Sequence, residues 1–173
     1  METIIDSYLI KALEAYPYEM EEAVEALNYA LSYNEKNPVA LTLMGRIYAD
    51  TFQDYEAAKG YFEQALSGNI HALGVYEHYL KVLIWNEDFE EAKTLIEFAL
   101  TVKGSDKGML YLKQAIVHEC EQNYKAALAS LKTAKIYAYN NCFISDLDEA
   151  KSRIKGKLPK KKKVKKNKKE NAQ

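Results

Sequence analysis

Few residues in this sequence have side chains suited to chemistry. The three histidines are His71, His78 and His118, and the two cysteines are Cys120 and Cys142. His71 and His78 are spaced to share one helix face, but no carboxylate or thiol joins them at ligand spacing. His118 and Cys120 stand two positions apart, which on a helix points them in different directions. Two thiols this far apart form neither a disulfide framework nor a zinc site. They are expected as small buried apolar side chains in a reducing compartment. There is no glycine-rich phosphate loop, no H-E-x-x-H, no nucleophile elbow and no EF-hand loop. The sequence therefore predicts no catalytic site, no metal and no cofactor. What remains is surface.

Charge is distributed unevenly over that surface. Residues 1–150 carry 12 Lys+Arg against 24 Asp+Glu, a net charge of −12. Residues 151–173 carry 12 Lys+Arg against one Glu, a net charge of +11. An acidic body repels nucleic acid, whereas a basic tail attracts any polyanion. The 173 residues, 48% of them apolar, suffice for one domain with a packed core. Only 7 Gly and 3 Pro argue against a turn-rich sandwich or barrel. No apolar run is long enough to span a membrane. The N-terminus lacks the basic start and apolar stretch of a signal peptide, so the expected location is cytoplasmic, or nuclear if the source has a nucleus.

The elements that must position any binding surface show in an internal repeat. MEEAVEALNYAL (20–31), YEAAKGYFEQAL (55–66), FEEAKTLIEFAL (89–100) and YKAALASLKTAK (124–135) begin 35, 34 and 35 residues apart. Ala23, Ala58, Ala92 and Ala127 occupy one column. Leu27, Phe62, Ile96 and Leu131 form a second, and Ala30, Ala65, Ala99 and Ala134 a third. This i, i+3, i+7, i+10 stripe predicts amphipathic helices, with alanine where another helix must come close. A second helix precedes each copy. Its columns are Leu41, Tyr76 and Tyr111; Gly45, Leu80 and Ala115; Tyr48, Leu83 and His118. Short polar breaks separate the helices, and Asn37-Pro38 reads as a helix start with Asn as N-cap. A helix–turn–helix unit of about 34 residues buries its apolar face only by stacking on its neighbours, which is an α-solenoid.

These units resemble tetratricopeptide repeats. LTLMGRIYADTFQDYEAAKGYFEQAL (41–66) is the best copy, with Ala58, Phe62 and Ala65 completing the second-helix pattern. The resemblance covers residues 4–139. Three features depart from it. The first copy has no consensus Gly and fits only if the turn near Tyr16-Pro17 loses a residue. The second copy has one extra turn residue near Phe52-Gln53. The Pro that usually closes a repeat is missing throughout. The expected fold is all-α: about four repeats and a C-terminal capping helix within residues 1–156. The cap is CFISDLDEAKSRIKG (142–156), with Phe143, Ile144, Leu147, Ala150 and Ile154 on one apolar face and Gly156 as its stop.

The resemblance implies that the first helices line a concave groove where partner peptides lie. A 35-residue offset then places Thr42, Arg46, Asp50, Glu77, His78, Lys81, Trp85 and Lys113 in that groove. Arg46, Lys81 and Lys113 form a basic stripe suited to a carboxylate-bearing peptide. The family's chaperone-tail clamp also needs an Asn and further basic residues; the matching columns hold Thr42, Leu43, Glu77 and Leu112, so that clamp looks absent.

Residues 157–173 have no periodic apolar face, and their nine lysines repel one another, so a disordered tail is expected. PKKKKVKK (159–166) resembles a single-cluster nuclear import signal. Alternatively Lys160, Lys161, Lys162, Lys163, Lys165, Lys166, Lys168 and Lys169 contact nucleic acid or anionic membrane, weakly and without sequence preference, or merely solubilise the chain. The leading expectation is thus a non-catalytic scaffold or adaptor binding a protein or peptide partner in its groove. The alternative is a polyanion-directed adaptor acting through its tail.

Overall fold

The computed structural model describes residues 3–159. Among these residues the chain forms α1 (Thr3–Ala15), α2 (Met20–Tyr33), α3 (Pro38–Ile47), α4 (Tyr55–Gly68), α5 (Gly74–Trp85), α6 (Phe89–Thr101), α7 (Lys107–Cys120), α8 (Tyr124–Ile136) and α9 (Asn141–Lys157). Each of the first eight helices packs against its partner in sequence order, α1 on α2 through α7 on α8. Successive pairs then stack, and α9 packs against α8. The fold is an all-α solenoid of tetratricopeptide-like units.

The repeat columns explain the stacking. Every alanine in the two alanine columns, and Leu27, Phe62 and Ile96 between them, is fully buried. Leu131 is buried almost as completely. Buried side chains fall into three adjoining clusters: α1–α3, α3–α7 and α7–α9. Because Ala92 has no exposed surface, a larger side chain there must displace a neighbouring helix. Ala92→Leu is expected to cost about 1–3 kcal/mol by overpacking. A urea midpoint close to that of the parent protein would refute tight contact at this column.

The caps follow from residue type. Asn37 accepts hydrogen bonds from Val39 N and Ala40 N, with Pro38 at the first helical position. Asp54, Asp106, Asn123 and Asn140 cap α4, α7, α8 and α9 in the same way. Asp88 occupies the N-cap of α6 but makes no cap bond. Its Oδ2 is held instead by Lys59 Nζ at 2.8 Å and Asn86 Nδ2 at 2.7 Å.

The extra residue of the second repeat is absorbed within the first helix. Tyr48–Phe52 forms a π-helical turn at the end of α3. The turns after α5 and α7 close through Asp88 N to Leu83 O and Asn123 N to His118 O, five residues back; here Asp54 N reaches Tyr48 O, six back. Gln53, Glu87 and Gln122 then occupy the same left-handed position, so the turn itself is conserved in geometry.

The cap helix forms as its stripe predicts, with Leu147, Ala150 and Ile154 buried and Phe143 and Ile144 half-buried. It does not stop at Gly156 but includes Lys157. Lys157 Nζ and the Arg153 guanidinium both bind Glu119 of α7, each at 2.7 Å, and this anchors the last turn. Cys120 and Cys142 are exposed, contrary to the burial expected of them. Cys120 is the last residue of α7 and Cys142 lies in the first turn of α9, where a helix end leaves the core. The tyrosines divide between core and surface. Tyr76 and Tyr79 are buried, while Tyr18, Tyr29, Tyr33, Tyr137 and Tyr139 are exposed.

Candidate partner-binding groove

The first helices α3, α5 and α7 lie side by side, so residues at matched positions line one continuous face. Arg46 comes from α3, Glu77, His78, Lys81 and Trp85 from α5, and Lys113 from α7. They form one electrostatic neighbourhood. Arg46, Lys81, Glu77 and Asp50 all act on His78, and Lys81 and Glu77 act on Lys113. Burial and the nearby Arg46 cation push His78 below its ordinary value, so it is largely neutral near pH 7. Burial also lowers Lys113, against the opposing pull of Glu77.

The three stripe cations are not equivalent. Lys81 is occupied: its Nζ contacts Asp50 Oδ1 at 2.9 Å and sits 4.2 Å above the Trp85 ring. Asp50 belongs to the π-helical turn at the end of α3, which brings its carboxylate to Lys81. Arg46 lies 4.9 Å over the Tyr16 ring, and its buried Nε has no hydrogen-bond partner. Neither Arg46 nor Lys113 is in an ion pair among the described residues. Two half-buried cations on this face thus have no carboxylate in contact, although Glu77 acts on Lys113 from further off.

Beside Arg46 is a hollow of about 410 Å³ between α1, α3 and the start of α5. Leu13, Val39, Leu43 and Leu73 form apolar walls, while Thr42, Arg46, Asn69 and His78 supply polar groups. Thr42, on the wall of the hollow, donates its hydroxyl to Pro38 O. Leu43 is buried and serves as wall rather than as an exposed groove residue. Trp85 is about half exposed at the end of α5 and tilts against Tyr55. His71 lies in the turn before α5, not on a helix face shared with His78. Among the described residues, no group of three or more His, Cys, Asp or Glu is placed to hold a metal ion. The lysines from Lys160 to Lys169 lie outside the described residues.

Sequence reasoning missed Leu13, Val39, Asn69 and Leu73 as site residues, and Tyr16 as the support of Arg46. None belongs to a column of the 34-residue repeat. Only the 35-residue offset connecting Arg46 to Lys81 pointed toward this place.

The stacked helix pairs form a helical-repeat fold of the tetratricopeptide-like kind. Two solved structures agree in fold. The chain superposes on MamA residues 41 to the end from Desulfovibrio magneticus RS-1 with a TM-score of 0.67, 14% identity, and coverage of 88% of this chain and 90% of that one. A double mutant of MamA from RS-1 gives the same TM-score and identity over 86% of this chain and 84% of that one. A tetratricopeptide repeat protein from Parabacteroides merdae overlaps more loosely, at a TM-score of 0.41 and 18% identity over 86% of this chain and 71% of that one. No protein-family model matches the sequence, and no curated protein matches it. Among the described residues no helix is long and apolar enough to cross a membrane.

Proposed function

We propose that the protein is a non-catalytic scaffold whose groove binds an acidic segment of a partner protein. The observation that carries this reading is the pair of half-buried cations, Arg46 and Lys113, that make no ion-pair contact with a carboxylate among the described residues, while Lys81 between them does. A partly desolvated cation is costly without a partner, and a ligand carboxylate supplies one through charge-assisted hydrogen bonds. The neighbouring Asp50–Lys81 pair holds the remaining charge in place and sets the register.

Titrating the isotope-labelled full chain with a Glu-rich decapeptide tests this reading. Backbone amide shifts are expected along α3, α5 and α7, and the Arg46→Glu, Lys113→Glu double reversal should abolish them with helicity unchanged. Shifts confined to other helices, or surviving the reversal, would refute the groove. Reversing Lys81 is less informative, because it also breaks the contact with Asp50.

The lysine-rich segment supports a second contact, with nucleic acid or anionic lipid, through charge alone: residues 160–173 hold 8 Lys against one Glu, a net charge of +7. Deleting residues 160–173 should remove such binding at low salt and leave the groove titration intact.

A further inference from the structure

We infer that the groove reads a two-part signature in its partner. An aliphatic side chain enters the hollow at α1, α3 and α5 beside a carboxylate held by Arg46, and a second carboxylate further along the segment meets Lys113. This deepens the groove reading proposed above and rests on it.

The hollow has the size and lining of an anchor site. Its volume of about 410 Å³ is ample for a Leu or Ile side chain. Leu13, Val39, Leu43 and Leu73 offer apolar contact, and Leu13 and Val39 are about half exposed although they are large apolar residues. Burying such walls under a ligand side chain is favourable. Arg46 lines the hollow, and its Nε is a buried donor without a hydrogen-bond partner. A donor fixed by stacking on Tyr16 requires an acceptor, and a carboxylate matches the guanidinium edge. Charge complementarity therefore selects an acidic segment, and the hollow selects an aliphatic neighbour for one of its acids.

The second carboxylate follows from the spacing of the helices. Lys113 lies two first helices away from Arg46, on α7 rather than α3. Packed helices stand about 8–10 Å apart, so two steps span roughly 16–20 Å. An extended chain advances about 3.3 Å per residue, which places the second acid about five or six residues from the first. Lys81, already paired with Asp50, demands no ligand acid between them.

The test is selection from a random dodecapeptide display library on the full-length chain at about 0.15 M salt, where the Debye length falls to about 8 Å. The lysine-rich tail is intact in every variant and gives a constant background. Recovered peptides are expected to carry an aliphatic residue beside Asp or Glu and a second acid four to seven positions away. Arg46→Met and Lys113→Met should each lower recovery about tenfold or more, as expected for loss of a hydrogen bond to a charged group. Arg46→Lys should weaken recovery less, and Lys125→Met on α8 should change nothing. Val39→Trp, which fills the mouth of the hollow, should erase the aliphatic preference and keep the acidic one. Acidic peptides without an aliphatic preference, or with one that survives Val39→Trp, overturn the anchor while leaving the groove reading in place. Peptides indifferent to both Arg46→Met and Lys113→Met, or no acidic enrichment at all, overturn the two together.

Discussion

Phe62→Ala is expected to lower the stability of the repeat domain by about 3–5 kcal/mol, a large share of what a domain of this size has. Phe62 has no exposed surface and stacks against Tyr79 with ring centroids 5.7 Å apart. Its ring also fills the space opposite Gly45. A Cβ built on Gly45 would come within 2.8 Å of Phe62 Cε1, so only glycine lets α3 lie this close to α4. Truncating the ring opens a cavity between two repeats that neither helix can close alone. The same geometry makes the two positions interdependent. Gly45→Ala is expected to destabilise the parent protein, and to cost less, or even help, in the Phe62→Ala background, where the added methyl enters the cavity. Urea denaturation of the four proteins measures this cycle. Strict additivity would show that Gly45 is not there to admit the ring.

Glu119→Gln is expected to cost about 2 kcal/mol and to loosen the cap helix before the rest of the solenoid. Glu119 is the buried end of a three-residue latch, with a side-chain exposure of 6%, and it receives Arg153 through two hydrogen bonds and Lys157 through a third. Removing one partner of a buried pair costs about 3–5 kcal/mol, but Arg153 and Lys157 are about half exposed and regain water, which reduces the figure. The Arg153 guanidinium, with Lys157 beside it, lowers the Glu119 carboxyl to about 2. The latch therefore contributes its full stability above the ordinary carboxylate range near 4.5. That stability is lost progressively as the pH falls from there toward about 2. Thermal melts of the parent protein between pH 7 and pH 3 should show this decline, and Glu119→Gln should flatten that portion of it. Hydrogen exchange should locate the early loss in α9. A variant with unchanged melting and unchanged exchange in α9 would show that the cap is held by Leu147, Ala150 and Ile154 alone.

Much of the architecture was legible before any coordinate. The Ala58 and Ala65 columns, the Asn37-Pro38 start and the Leu147–Ala150–Ile154 stripe all follow from periodicity, because burial on a helix repeats with the helix. The candidate site was legible only in part. The repeat offset placed Arg46, His78, Lys81 and Lys113 together, and in the structure Arg46 and Lys81 act on His78 and Lys81 acts on Lys113. Their differing occupation was not readable. The columns show an extra residue near Phe52-Gln53 but not that it is absorbed as a π-helical turn, from which Asp50 reaches Lys81. The burial expected of Cys120 failed for a related reason: periodicity describes the middle of a helix, and Cys120 ends one.

By itself, the sequence determined the number of repeats, their helical faces and the identity of the packing residues. Those features depend on contacts between residues one helical turn or one repeat apart, and such contacts leave a period in the chain. Only the tertiary structure decided which cations lack partners, where the hollow lies and how the cap is latched. The hollow takes Leu13, Val39 and Leu73 from three separate segments, and the latch joins Glu119 to Arg153 and Lys157 across 34 and 38 positions. Such groups meet because helices of fixed length and spacing bring their ends together, and no periodic pattern in the chain records where ends meet.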